Sequence, residues 1–200
     1  MCQAFFKDAR FYQFLFRIDE AIATEVQSGG CSHCGGVLHS AGYPRKPRGL
    51  RSALDASYSR RLSFCCAREG CRRRNTPPSV RFLGRKAYLG VIVILVCALE
   101  QGLSPKRRKQ LIEQLDLWPQ TLARWRQWWQ QTFAVSRCWQ AARGHFIPPV
   151  AVGQLPGALL GRLNGVDLRH RLCLLLRLLA PVTTTSWSGS LRVAIDPQKM

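Results

Sequence analysis

Two close groups of cysteines, Cys31-Ser-His-Cys34-Gly-Gly and Cys65-Cys66-Ala-Arg-Glu-Gly-Cys71, constrain this chain more than any other feature. Each group lies beside glycine and a basic loop separates them, so four thiolates can converge on one tetrahedral Zn2+. The glycines after Cys34 allow a tight turn in which backbone amides point back at the sulfurs, and Gly70 allows the same before Cys71. This pattern reads as a zinc ribbon. Its first half is a regular Cys-x-x-Cys, whereas four residues separate Cys66 from Cys71 and Cys65 competes for the same ligand position. A short strand over Arg61-Leu62-Ser63-Phe64 would set Cys66 at a strand end ahead of the turn Ala67–Gly70, which favours Cys66; a shift of one residue selects Cys65. The expected ligands are Cys31, Cys34, Cys66 and Cys71.

The competing readings of the same cysteines are two disulfides or small buried apolar residues. The opening Met-Cys-Gln-Ala-Phe-Phe-Lys-Asp-Ala-Arg has no basic leader followed by an apolar run and a cleavage site, so a reducing cytoplasm is expected. Cys2, Cys97, Cys138 and Cys173 are scattered and read as core or surface thiols.

Charge narrows the partners. The chain of 200 residues carries 30 Lys+Arg against 11 Asp+Glu, a formal charge of +19. Such an excess attracts polyanions, of which nucleic acid is the commonest in a cytoplasm, with a membrane surface as the competing anion. A zinc-stapled segment needs little apolar core of its own, so small modules are expected.

From Phe5 to Val26 the residues Phe11, Leu15, Ile18 and Ile22 recur at steps of three and four, predicting an amphipathic helix that ends at Ser28-Gly29-Gly30. Gly42 to Gly49 is a basic loop, and Arg72-Arg73-Arg74 followed by Pro77-Pro78 predicts a rigid extended spacer. Ala87 to Leu99 is a run of 13 uncharged residues. As a helix it would span about 20 Å, short of the roughly 30 Å of a bilayer core, and it reads as buried.

Gly102 stops that helix, and Ser104-Pro105 starts a second one as cap and first residue. The second, Pro105 to Gln114, turns Leu111 and Ile112 inward and Lys106, Arg107, Arg108 and Lys109 outward. A short turn leads to a third helix from Pro119, whose packing stripe is Leu122, Trp125, Trp129 and Phe133. Gln120, Thr121, Arg124, Gln127, Trp128 and Gln131 fall largely on its other face. Three helices with a tight turn between the last two and an Arg/Gln face on the last describe a helix-turn-helix, because arginine and glutamine can pair with base edges in the major groove. Lys106, Arg107 and Arg108 would contact phosphates from a helix N-terminus, and Arg72, Arg73 and Arg74 would do so beside the metal.

Beyond Ala134, Phe146 to Val150 reads as a linker, Leu155 to Leu163 as a short helix, and Val166 to Ala180 as a helix with an apolar side of Leu168, Leu172, Leu175, Leu176 and Leu179. That side is expected to pack on the preceding helices, with a partner or a second copy as the alternative. Pro181 to Met200 is Thr/Ser-rich and reads as loosely held. The expected fold class is α+β, mostly α: an N-terminal helix (1–28), a zinc β-ribbon with a basic loop (29–83), a three-helix helix-turn-helix domain (84–134), and a C-terminal helical extension with a tail (135–200).

The Cys31-x-x-Cys34-Gly-Gly pair, Cys66 and Cys71, and the helical segment ending Thr121-Leu122-Ala123-Arg124-Trp125 together resemble the zinc-ribbon and helix-turn-helix front end of insertion-sequence transposases and their accessory proteins. The resemblance covers about Gly29 to Phe133 and implies binding of element DNA, with a possible transposase partner. In that family a separate core with three metal-binding carboxylates performs strand transfer. Nothing like it follows here: residues 141–200 contain only Asp167 and Asp196 as acids, too few to hold two cations. Neither a nucleophilic triad nor a phosphate-binding glycine loop is evident, so no enzymatic activity is expected. The alternatives to duplex DNA binding are an RNA or single-strand binder, with Trp128 as a stacking platform, and a non-catalytic interaction subunit.

Overall fold

The computed structural model describes residues 8–45, 56–83, 88–100, 104–115 and 117–184; the side chains of residues 56, 100, 107, 108 and 114 lie outside the description. The architecture is α+β and mostly helical, with one small sheet of three strands and another of two.

Helix α1 (Ala9–Ser28) is capped by Asp8, whose carboxylate accepts from the Phe11 amide at 3.2 Å. Phe11, Leu15, Ile18 and Ile22 are buried as their spacing predicts, while Phe14 stays 51% exposed. Gly29 and Gly30 close the helix, their amides donating to the carbonyls of Glu25 and Gln27 respectively.

Strands β1 (Leu38–Ser40), β4 (Phe64–Cys66) and β5 (Arg74–Asn75) form an antiparallel sheet in the order β1-β4-β5, with Leu38 opposite Cys66 and Phe64 opposite Asn75. Strands β2 (Tyr43–Pro44) and β3 (Arg60–Arg61) pair separately. The strand expected over residues 61–64 is therefore divided between two sheets. The buried Arg61 guanidinium donates to the Pro77 carbonyl, and the Ser63 hydroxyl donates to the Asn75 carbonyl at 3.4 Å, so both side chains anchor the junction.

The end of the proline stretch is pinned to α1. Asp19 on α1 accepts from the Val80 amide at 2.7 Å, from the Ser79 hydroxyl at 2.5 Å and from Arg81 Nε at 2.8 Å. Arg81 also donates to the carbonyls of Tyr58 and Arg60 and lies against the rings of Phe16, Tyr58 and Phe82. A buried charge is tolerated only when it is paired and hydrogen-bonded, and this pair has both.

Helix α2 (Gly90–Glu100) is apolar on all sides and buried on all sides from Val91 to Val96, as a helix without a polar face must be. Helices α3 (Pro105–Gln114) and α4 (Pro119–Gln127) follow, and α4 runs on into a π-helical turn, Trp128–Phe133. Ser104 occupies the N-cap position of α3 without a side-chain capping bond, which departs from the expected serine cap. After α5 (Arg137–Ala142) come α6 (Gly157–Arg162) and α7 (Leu168–Leu179). Leu172, Leu175, Leu176 and Leu179 of α7 are buried in the protein's own core, and Leu168 packs at its edge.

Pro181 to Met200 was expected to be loosely held, but its first residues are not: Thr183 is buried, donates to the Ala180 carbonyl and accepts from the Ser79 amide at 2.9 Å. Residues 185–200 and the second half of the loop Gly42 to Gly49, from residue 46 on, lie outside the described residues, as does Cys2.

Buried apolar residues form two clusters. The large one joins α1, α2, α4, α6 and α7; the small one is Ala23, Cys31, Leu38, Phe64 and Cys66. Helix α1 contributes to both, so it links the cysteine-bearing sheet to the helices. Among the described residues no helix is long and apolar enough to cross a membrane.

Candidate metal centre and helical surface

The sheet and two tight turns bring Cys31, Cys34, Cys66 and Cys71 together, with their sulfur atoms all within 4.8 Å of one another. The Sγ–Sγ separations are 3.8 Å for Cys31–Cys71 and 3.5 Å for Cys34–Cys66. A tetrahedron with metal–sulfur bonds of about 2.3 Å has edges of about 3.8 Å, so the four thiols fit one tetrahedral ion. All four are free thiols rather than disulfides.

Strand geometry decides between Cys65 and Cys66. Side chains alternate along β4, with Phe64 and Cys66 buried and Cys65 half-exposed on the other face, where its thiol donates to the Arg72 carbonyl at 3.3 Å. Cys66 joins the cluster and Cys65 does not.

Backbone amides of His33 and Cys34 donate to Cys31, that of Arg68 to Cys66, and that of Arg73 to Cys71. The His33 amide is the main reason the Cys31 thiol is lowered to about 6. Burial pushes Cys66 up to about 12. At Cys71 the Arg73 amide pulls the thiol down, but burial and the neighbouring thiols leave it raised. Four sulfurs this close cannot all ionise without a cation among them; a bound metal would remove that conflict.

Glycine is required beside the sulfurs. A Cβ on Gly36 would sit 3.1 Å from Cys66 Sγ and 3.4 Å from Cys34 Sγ, and Gly70 takes a φ of +80° in the turn before Cys71. Sequence reasoning missed Asn75. This buried side chain accepts from the Ser32 amide and hydroxyl at 3.2 and 2.8 Å and donates to Cys31 Sγ at 3.5 Å, so it holds one ligand turn against another. Its signal in the sequence was only an amide side chain four residues past Cys71.

The basic residues beside the cluster differ in availability. Arg72, at a positive φ of 45°, and Arg73 are exposed. Arg74 is engaged: its guanidinium donates to the Ala41 carbonyl at 2.8 Å and lies 5.5 Å from the Tyr43 ring centre. Lys106 is exposed on α3, and the side chains of Arg107 and Arg108 lie outside the description.

On α4 and its π-helical continuation, Leu122, Trp125, Trp129 and Phe133 are all buried. Gln120, Arg124 and Gln127 are exposed on the other side, Thr121 is half-buried, and Gln127 donates to exposed Gln131 at 3.0 Å. Trp128 is half-buried with its ring 4.9 Å from Trp129 and 5.7 Å from Phe133, so it packs rather than projecting as a platform. The exposed aromatic here is Trp118, 65% exposed at the N-cap of α4. It escaped sequence reasoning because it lies in the turn, off the helical period.

Comparison with protein-family models, curated proteins and solved structures finds no match for the chain.

Proposed function

We propose that this chain is a zinc-containing DNA-binding protein, in which a zinc ribbon supports a helix-turn-helix formed by α3 and α4, acting as a transposition-associated accessory factor or regulator. The observation that carries this reading is the two-sided character of α4. Its apolar stripe is fully used in the core, which leaves Gln120, Arg124 and Gln127 facing solvent after a short turn from α3. A helix fixed on one side and bearing arginine and glutamine on the other is suited to the major groove, where those side chains make bidentate contacts to guanine and adenine. Lys106 at the start of α3, with Arg72 and Arg73 beside the cysteines, would neutralise phosphates. The formal charge of +19 supplies the attracting field.

Zn2+ is the metal that a closed four-thiolate site favours, and its role is structural because no ligand position remains open for water. Cys31, Cys34, Cys66 and Cys71 would hold it. In a cytoplasmic setting the cysteines stay reduced and available to the ion.

One observation supports the single-strand alternative, since Trp118 offers an exposed ring for base stacking where Trp128 does not. The deciding experiment measures metal content together with binding of duplex and single-stranded DNA at two salt concentrations, before and after chelation. One zinc per chain, with duplex binding that falls steeply with salt and weakens on chelation, is the expected result. Zinc without nucleic-acid binding would make the chain an interaction subunit and overturn the reading.

A further inference from the structure

We propose that the groove between the start of α1 and the outer face of α7 binds an amphiphilic anion, an apolar body carrying a single carboxylate or phosphate head. The groove has a volume of about 430 Å³. That lies within the roughly 300–1,000 Å³ common to small-molecule sites. Phe11, Phe14, Val166 and Leu174 supply its apolar surface, and Arg10, His170 and Arg177 its basic surface. The two kinds of residue are interleaved by helical spacing: Arg10 and Phe14 are four apart on α1, and His170 and Leu174 are four apart on α7.

Two of these residues are unusual on a folded surface, because Phe14 is 51% and Val166 94% exposed. Two carboxylates lie at the groove, one of them, Asp167, in its lining, and both are engaged. Asp167 caps α7 by accepting from the His170 amide at 2.8 Å, and Asp8 pairs with Arg169 at 2.6 Å, a close ion pair without hydrogen-bond alignment. Among the described residues Arg10 and Arg177 have no carboxylate within ion-pair distance, so the groove has cationic charge to offer a ligand.

Charge also argues against residues 1–7 and 185–200 as the occupant. Residues 1–7 carry Lys7 and no acid, and residues 185–200 carry Arg192 and Lys199 against Asp196. Neither segment complements a cationic groove. A duplex backbone would satisfy the arginines but leaves Phe14 and Leu174 unused, because its bases are already stacked on one another, whereas a fatty carboxylate or an alkyl phosphate uses both. The proposal is independent of the DNA-binding reading.

The test is calorimetric titration of the full chain with dodecanoate, dodecyl phosphate and dodecanol, each below its micelle concentration, at about 0.15 M salt. One site per chain is expected for an anion, with dodecanol weaker by at least about tenfold. The tighter of the two anions identifies the head group. Arg10→Ser/Arg177→Ser should weaken binding by about tenfold or more, and Phe14→Ser/Leu174→Ser should abolish it. Arg137→Ser/Arg143→Ser, which removes the same charge from exposed positions elsewhere, should leave it unchanged. Circular dichroism would verify that each variant is folded. Equal binding of dodecanol, full binding by the groove variants, an equal loss in the distant variant, or no binding of either anion would overturn the proposal.

Discussion

At the scale of single residues, chemistry and burial separate side chains that look alike in sequence. Cys65 and Cys66 are adjacent, yet strand alternation gives only Cys66 to the cluster. Cys34→Ser is expected to abolish stoichiometric metal binding, and Cys65→Ser to leave it intact; a full equivalent of metal on the first variant would refute the ligand assignment. Asn75→Ala removes the side chain that ties Cys31 to the Ser32 turn, and groups that orient metal ligands typically change affinity by about 10–100-fold. Competition with a chromophoric chelator would read that loss. Arg81 and Arg124 are likewise both arginines, but Arg81 is wholly interior. Asp19→Ala would leave its guanidinium buried without a counter-ion, at a cost of about 3–5 kcal/mol in denaturant unfolding. Asp19→Leu/Arg81→Met should recover part of it, because the penalty comes from the stranded charge rather than from a missing attraction.

At the scale of elements, the α3–α4 pair carries the functional proposal. The spacing of Leu122, Trp125, Trp129 and Phe133 predicted the inner face, and all four are buried. Arg124→Ala is therefore expected to leave stability unchanged, since Arg124 is exposed, while losing about 1–3 kcal/mol of discrimination between cognate and altered duplexes. Competition binding with duplex variants would measure it, and unchanged discrimination would rule out this orientation of the helix. Trp129→Ala acts oppositely: it opens a cavity in the core and should cost about 3–5 kcal/mol in thermal or denaturant unfolding. Among the helices, sequence periodicity missed α5, too short to show a repeat; it is held by the Ser136 cap and by Trp139 buried against Phe133.

For the whole molecule, α1 spans two cores of unequal kind, one of them built around the thiols. Chelation should open the small core first. Cys31, Cys34, Cys66 and Cys71 would then become reactive toward a thiol reagent, while Cys97, buried in the large core, stays protected until global unfolding. Simultaneous exposure of all these thiols would show that the cores unfold as one unit. Much of this molecule was legible in its sequence: the four cysteines, the α1 and α4 stripes, the all-apolar α2 and the leucines of α7 each follow from spacing, because a local period specifies which face of an element seeks burial. What only the tertiary structure decided depends on residues far apart in the chain. Asp19 meets Arg81, Asn75 meets Ser32 and Cys31, Ser79 meets Thr183, and Asp8 meets Arg169. Such meetings leave no local period, since a polar side chain shows nothing of its partner until packing removes water from both.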